Sequence, residues 1–271
     1  MDNPPPVALT IAGSDSSGGA GIQADLKTFH TFGVFGCSAV TAVTAQNTLG
    51  VTAIHAVPEE VVREQVRAVA TDIPPDAVKT GMLASAALVE TVAHAIAEHQ
   101  LPNYVLDPVM ISTSGHRLLD KDAEDTIRRK LVPLATVVTP NLHEARILTD
   151  LPVSGTSDLA DAARAILDLG ARAVLVKGGH LDGDEVVDLL LTEEGEEYVW
   201  SRPRLDTRAG HGTGCTLAAA LVAGLASGRT LSDAAVDAVD FVARALASAP
   251  RLGAGRGPIN HFVRAPGDPR E

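Results

Sequence analysis

Residues Leu217 to Ala226 read Leu-Ala-Ala-Ala-Leu-Val-Ala-Gly-Leu-Ala. As a helix this segment is apolar on every side, so it has to be buried, and the rest of the chain must be wrapped around it. The stretch before it, Thr207 to Thr216, is rich in glycine and threonine and places Gly212, Thr213, Gly214 and Cys215 in the first turn. The first N–H groups of a helix have no partner inside it, and the helix dipole puts partial positive charge there. Glycines let an anion approach that backbone, so the stretch reads as a phosphate cradle at a buried helix start. A purely structural glycine turn has the same spacing. A Walker-type loop is excluded, because no Gly-Lys-Ser/Thr follows the glycines. Cys215 sits where the cradle is most positive; such a position lowers a thiol from about 8.5 and suits it to take a proton from an alcohol. The same residue also reads as a small side chain at a tight packing site.

Around this segment, short apolar runs alternate with helical patterns. Val7–Ile11 reads as a strand feeding the glycine-rich loop Ala12–Gly21 and a helix over Ile22–Thr31. Gly36–Thr48 reads as a strand of small and β-branched residues, followed by strands at Val51–Val57, Ala77–Leu83, Tyr104–Leu106, Ala135–Val138 and Ala173–Val176. Helices are expected over Glu59–Ala70, Ser85–His99, Asp120–Leu131, Asp158–Leu169 and Leu231–Ala247, and a strand hairpin around Gly195. This order predicts one α/β domain over residues 1–271, with a mainly parallel sheet covered by helices on both faces. Residues 1–6 and about 267–271 read as flexible ends.

An apolar content of 45% with only 3% aromatics in 271 residues calls for an aliphatic core. The net charge of −12 argues against a nucleic-acid or anionic-membrane partner. Two cysteines give neither a disulfide framework nor metal-ligand spacing, and no apolar stretch approaches the about 18 residues of a membrane span. With no signal-peptide pattern at the start, a cytoplasmic protein is expected.

The strand ends carry the chemistry. Asp107 follows a strand at the mouth where α/β sheets bind ligands, though it also suits a turn cap. Asn141 and Glu144 lie three apart, which fits a capping box and equally an amide and carboxylate serving hydrated Mg²⁺ and phosphate. Lys177, with Gly178 and Gly179, suits a phosphate or an ordinary strand end. Gln46 is either a polar loop residue or a reader of a heteroaromatic ring, since a carboxamide both donates and accepts. The glycines of the first loop miss the Gly-x-Gly-x-x-Gly dinucleotide spacing.

Taken in series, these blocks resemble the hydroxymethylpyrimidine/phosphomethylpyrimidine kinases of thiamine biosynthesis, within the ribokinase-like superfamily. The blocks are Ala12–Asp15 with Gly18–Asp25, Thr41–Thr48, Asp107–Met110, Thr139–Ala145, Val176–His180, His211–Thr216 and Pro258–Phe262. Ser16 stands where the family often has proline, and Ala209-Gly210 replaces a commonly polar pair. The resemblance implies a three-layer α/β/α sandwich, ATP and Mg²⁺. It implies phosphorylation of 4-amino-5-hydroxymethyl-2-methylpyrimidine to its monophosphate and then its diphosphate, by a homodimer. Carried over by residue, Gly13, Asp25, Gln46, Met82 and Val109 line the pyrimidine site. Asn141, Lys177 and Gly178 face the nucleotide, and Asp107 and Glu144 act through Mg²⁺ or its waters. Gly212, Thr213, Gly214 and Cys215 form the anion hole. Two rivals remain open at this point: a pyridoxal or pyridoxine kinase, and a non-catalytic vitamer-binding protein.

Overall fold

The computed structural model describes residues 4–110, 121–153, 155–179 and 183–267. Its centre is an eight-stranded sheet. In chain order the strands are β1 (Val7–Ala12), β2 (Phe35–Val40), β5 (Ala77–Thr80), β6 (Tyr104–Leu106), β7 (Val137–Val138), β8 (Ala173–Val176), β9 (Glu185–Thr192) and β10 (Glu197–Pro203). Their spatial order is β10-β9-β8-β7-β6-β5-β1-β2. The six strands from β2 to β8 run parallel, and β9 and β10 form an antiparallel hairpin at one edge. β3 (Ala42–Asn47) and β4 (Gly50–Ala56) form a separate two-stranded antiparallel ribbon.

Alternation along the strands builds two aliphatic cores. Leu9, Ile11, Val78, Leu106, Val138, Val174 and Val176 face one side. There they meet α2 (Glu59–Asp72), α3 (Ala86–Glu98), α4 (Lys121–Lys130), α5 (Leu142–Thr149) and α6 (Leu159–Leu167). Ala8, Ala77, Val105, Val137, Ala173 and Leu175 face the other side, toward α1 (Gly21–Thr31), α7 (Thr213–Ala226) and α8 (Leu231–Ala247). The expected three-layer α/β/α arrangement is therefore the observed one. From Thr216 to Leu225 every residue of α7 is buried, and α7 packs against β1, β5 and β6 as well as α1 and α8. No helix of the described residues is long and apolar enough to cross a membrane.

One expected element is corrected. The run Gly36–Thr48 is not a single strand: it breaks at Thr41, between β2 of the main sheet and β3 of the ribbon. The Thr41 hydroxyl donates to the Met82 carbonyl at 2.6 Å, and its N–H donates to Ala12 O at 3.0 Å. Those bonds take the chain off the sheet edge at the point where the ribbon begins. Periodicity continues through the break, so composition alone reads it as continuous. Of the expected flexible ends, residues 1–3 and 268–271 lie outside the described residues; the Pro6 carbonyl accepts from Phe35 N at 2.8 Å.

Candidate active site

The parallel strands end at one mouth, and the hydrogen bonds of the sheet continue one step past them. Asp107 N donates to Thr80 O, Thr139 N to Leu106 O and Lys177 N to Pro140 O, at 2.9–3.0 Å. This register carries Asp107, Asn141 and Lys177 to the same edge. α7 starts against them. A β-carbon placed on Gly214 would stand 3.2 Å from Lys177 Nζ and 3.9 Å from Asp107 Oδ1, so a larger residue here would press on the ammonium. Gly212, the N-cap, has φ +83° and lies against the Gly19 carbonyl. It closes the motif loop onto the first loop.

Lys177 Nζ donates to Asp107 Oδ1 at 3.1 Å and lies 3.9 Å from Glu144 Oε2. Burial works against its charge, but Asp107 and Glu144 outweigh it and hold the ammonium in its charged form. Glu144 also closes a capping box with Asn141. Its Oε2 accepts from Asn141 N at 2.7 Å, and Asn141 Oδ1 accepts from Glu144 N at 3.0 Å and His143 N at 2.9 Å. The capping-box reading of this pair is the observed one, and the cap holds the carboxylate beside Lys177. Burial pushes Glu144 up to about 7, against the pull of Lys177.

Asp107 Oδ2 is buried and has no hydrogen-bond partner among the described residues. A buried carboxylate oxygen is costly in that state, so the atom awaits a donor or a cation. Among the described residues no three acidic, histidine or cysteine side chains cluster as a complete metal site. A hydrated Mg²⁺ completed by phosphate oxygens needs only one or two carboxylates, and Asp107 with Glu144 meets that demand.

The backbone at the start of α7 is open. Thr216 N donates to Gly212 O and Thr213 N to Gly210 O, while the N–H groups of Gly212, Gly214 and Cys215 have no hydrogen-bond acceptor among the described residues. Cys215 is half-buried. The lowering expected for the Cys215 thiol at a helix start is reversed: burial pushes it up to about 11, outweighing the nearby Lys79 ammonium. The helix dipole argument holds for a solvated helix start, whereas this thiol is desolvated and has Asp107 and Asp25 as further neighbours.

Beneath it lies a group the sequence reading passed over. Lys79 is fully buried and bonds both oxygens of Asp25 at 2.9 Å, with Asp107 Oδ2 at 4.0 Å. Burial opposes its charge, but the carboxylates of Asp25 and Asp107 hold it protonated. Asp25 is 0% exposed and also accepts from Thr10 Oγ1 at 2.7 Å. Its carboxylate is therefore satisfied wholly inside the protein. A lysine inside the four-residue buried strand Ala77–Thr80 was the available signal, since an interior ammonium requires a buried acid.

Of the remaining expected ring residues, Gly13 and Gln46 lie in or against the first loop. Gly13 packs against Met82, whose sulfur would stand 3.2 Å from an added β-carbon. Val109 is half-buried beyond Asp107. Gln46 Nε2 lies 3.4 Å from His211 Nε2, which meets Asp15 Oδ2 at 2.7 Å. Burial works against the charge of Asp15, yet bonds from His211 and Ser17 hold its carboxyl below the usual range. An ionised carboxylate only accepts, so His211 Nε2 carries the hydrogen, and the Gln46 amide is left without an acceptor among the described residues. Gly178 is placed differently from the expected phosphate contact. Its N–H donates to Asp188 Oδ1 at 3.0 Å, and the residue packs on the Val187 carbonyl of β9. Thr113, Ser114, His116 and His180 lie outside the described residues.

A cavity of about 490 Å³ lined by Thr207–Gly210 and Ala254–Arg256 opens beside the motif loop. A larger one, about 630 Å³, lies along α4 and α5 and contains none of the site residues.

Comparison with known proteins gives the same direction. The family model described as phosphomethylpyrimidine kinase matches residues 15–260. A hydroxymethylpyrimidine/phosphomethylpyrimidine kinase of Streptomyces coelicolor is 51% identical over 257 residues, covering 95% of this chain and 94% of the relative. The crystal structure of a phosphomethylpyrimidine kinase from Clostridium difficile superposes with a TM-score of 0.80 at 40% identity, covering 89% of this chain and 99% of that one. An ADP complex of Bacillus subtilis pyridoxal kinase superposes with a TM-score of 0.88 at 38% identity, covering 95% and 98%.

Proposed function

Because this chain belongs to the phosphomethylpyrimidine kinase family, we propose that it phosphorylates 4-amino-5-hydroxymethyl-2-methylpyrimidine from ATP. The monophosphate is then phosphorylated again to the diphosphate used in thiamine diphosphate biosynthesis. The observation that carries this reading is the meeting of Asp107, Glu144, Lys177 and the open amides of α7 at one point.

Phosphoryl transfer leaves the protein little covalent work, and positioning with charge stabilisation dominates. The N–H groups of Gly212, Gly214 and Cys215, with Thr213 in the same turn, receive the migrating phosphoryl group. Lys177 neutralises the nucleotide phosphates, fixed from below by Asp107 and Glu144. Asn141 holds Glu144 in place, and Gly178 brings β8 close to β9 so that Lys177 keeps its height. Asp107 and Glu144 would hold a Mg²⁺ ion, which would supply further neutralisation of phosphate charge. Gly13, Met82 and Val109 line the ring, Gln46 reads its nitrogen and exocyclic amine, and Asp25 sets the floor through Lys79. Cys215, a neutral thiol, places the hydroxymethyl oxygen. The alcohol keeps its proton until the P–O bond is nearly made and then releases it to a phosphate oxygen. The second transfer starts from an ionised phosphate and requires no base.

We further assign a homodimer, consistent with the exposed Val43 and Ile54 on the ribbon. A two-stranded ribbon is marginal alone, and an unpaired edge invites a partner strand. Light scattering tests it: twice the mass of the 28.0 kDa chain is expected.

The pyridoxal kinases among the structural neighbours make pyridoxal the rival acceptor. Measuring kcat/KM on the pyrimidine alcohol and on pyridoxal decides between them. A higher value on the pyrimidine supports this reading, and a higher value on pyridoxal overturns it.

A further inference from the structure

The ribbon β3–β4 carries Gln46, the side chain assigned to the ring, yet the ribbon is outside the main sheet. Its pairing is irregular at that residue. The register passes from Ala45↔Ala53 to Gln46↔Val51, so Thr52 is the extra residue of a bulge, and its hydroxyl donates to Ala45 O at 3.0 Å. Bulges re-aim side chains, and a bulge in an isolated ribbon needs an external support to hold one aim.

The first loop supplies that support along the outer edge of β3. Ser14 N donates to Ala42 O at 2.8 Å, and Thr44 Oγ1 donates to Ser14 O at 2.8 Å. Two residues on, Ser16 Oγ accepts from Gln46 N at 2.8 Å and donates to Gln46 O at 2.7 Å. One hydroxyl thus satisfies both backbone groups of Gln46, in the manner of a neighbouring strand. The tip of the ribbon has its own anchor, since Arg256 N donates to Thr48 O at 2.9 Å and Gly255 N to Thr48 Oγ1 at 3.2 Å. Loss of the Ser16 hydroxyl therefore releases Gln46 without freeing the ribbon at either side of it.

We infer that Ser16 is a positioning residue for recognition of the acceptor ring, acting by clamping the backbone of Gln46 so that its carboxamide faces the ring beside His211. This inference rests on the proposed assignment of Gln46 to the pyrimidine. Ser16 is exposed, and among the described residues its hydroxyl bonds only Gln46. Its effect is confined to the acceptor, because the nucleotide side is built from β7, β8 and α7.

The test compares Ser16→Ala and Ser16→Thr with the wild type in steady-state kinetics and in amide hydrogen exchange of the unliganded protein. Two exposed hydrogen bonds set the scale of about a threefold to tenfold rise in KM for the pyrimidine alcohol in Ser16→Ala. KM for ATP and kcat should stay unchanged. The Gln46 amide should exchange faster in Ser16→Ala, and Ser16→Thr, which keeps the hydroxyl, should restore both readouts. An unchanged KM for the pyrimidine, equal rises for both substrates, or unchanged exchange at Gln46 would overturn the inference. If the wild type turns over no pyrimidine alcohol, the proposed function fails on its own. Exchange at Gln46 then still decides whether the clamp exists.

Discussion

Replacing Lys79 with methionine tests the floor of the site. The ammonium is 0% exposed and bonds both oxygens of Asp25 at 2.9 Å, leaving Asp25 only the Thr10 hydroxyl when it is removed. Stranding a buried charge in this way costs about 3–5 kcal/mol. For a chain of this length each kcal/mol moves Tm by roughly 2–4 °C, so Lys79→Met should melt about 6–20 °C below the wild type. Adding Asp25→Asn removes the stranded charge and should recover most of the loss, which makes the pair strongly non-additive. The pH dependence has a definite sign. Burial already raises the Asp25 carboxyl, and without Lys79 it rises further. A carboxyl raised in the folded state adds stability at low pH and loses it as pH rises through the folded value. The deficit of Lys79→Met should therefore shrink as pH falls from 7 toward 5. Calorimetry at several pH values, with a check that unfolding is two-state, measures both effects. A loss below about 1 kcal/mol, or a double variant as unstable as the sum of the singles, would refute the idea of a tightly coupled buried pair.

Two further outcomes follow from the same electrostatics. Since burial lifts the Cys215 thiol to about 11, iodoacetamide should alkylate it slowly at pH 7 and faster toward that value. Cys215→Ala should then lower the first transfer by about tenfold, short of the 10²–10⁴ that a general base contributes; a loss beyond 10³-fold would restore the thiol as proton acceptor. His261, bonded to Thr216 Oγ1 at 2.9 Å, is held by burial down to about 4. The unfolded chain therefore takes up its proton first, and stability should fall by up to roughly 3 kcal/mol between pH 6.5 and 4. Glu144, raised to about 7, pulls the other way over this range. The comparison of wild type with His261→Gln isolates the histidine, and equal slopes would remove its contribution.

The architecture was legible because each layer leaves a period in the sequence. Strands such as Ala173–Val176 are continuous apolar runs, and α7 is apolar all round, which forced a buried central helix. The site was legible where a residue type is rare at a strand end: Asp107, Lys177 and Gly214 do meet. What local pattern could not carry was partnership across long separations. Asp25 and Lys79 are 54 residues apart, and Asp15 and His211 are 196 apart. Nothing near either residue announces the other. The break at Thr41 was hidden for a related reason, since the ribbon departs through bonds to Ala12 and Met82. The state of Cys215 was misjudged because the dipole is local and visible in sequence, whereas desolvation depends on everything packed around the thiol.

The central claim is that a migrating phosphoryl group rests against the start of α7, and Gly214→Ala tests it most directly. A β-carbon there would stand 3.2 Å from Lys177 Nζ and fill the space between that ammonium and the open amides. The crowded atom is the flexible end of the lysine side chain, so the variant should still fold and melt close to the wild-type temperature. With ATP labelled on its γ-phosphate and the pyrimidine alcohol as acceptor, the account predicts a loss of about 10²-fold or more in the rate of label transfer, the scale of one lost donor in a charge-stabilising hole. Transfer at the wild-type rate in a folded Gly214→Ala protein would contradict it.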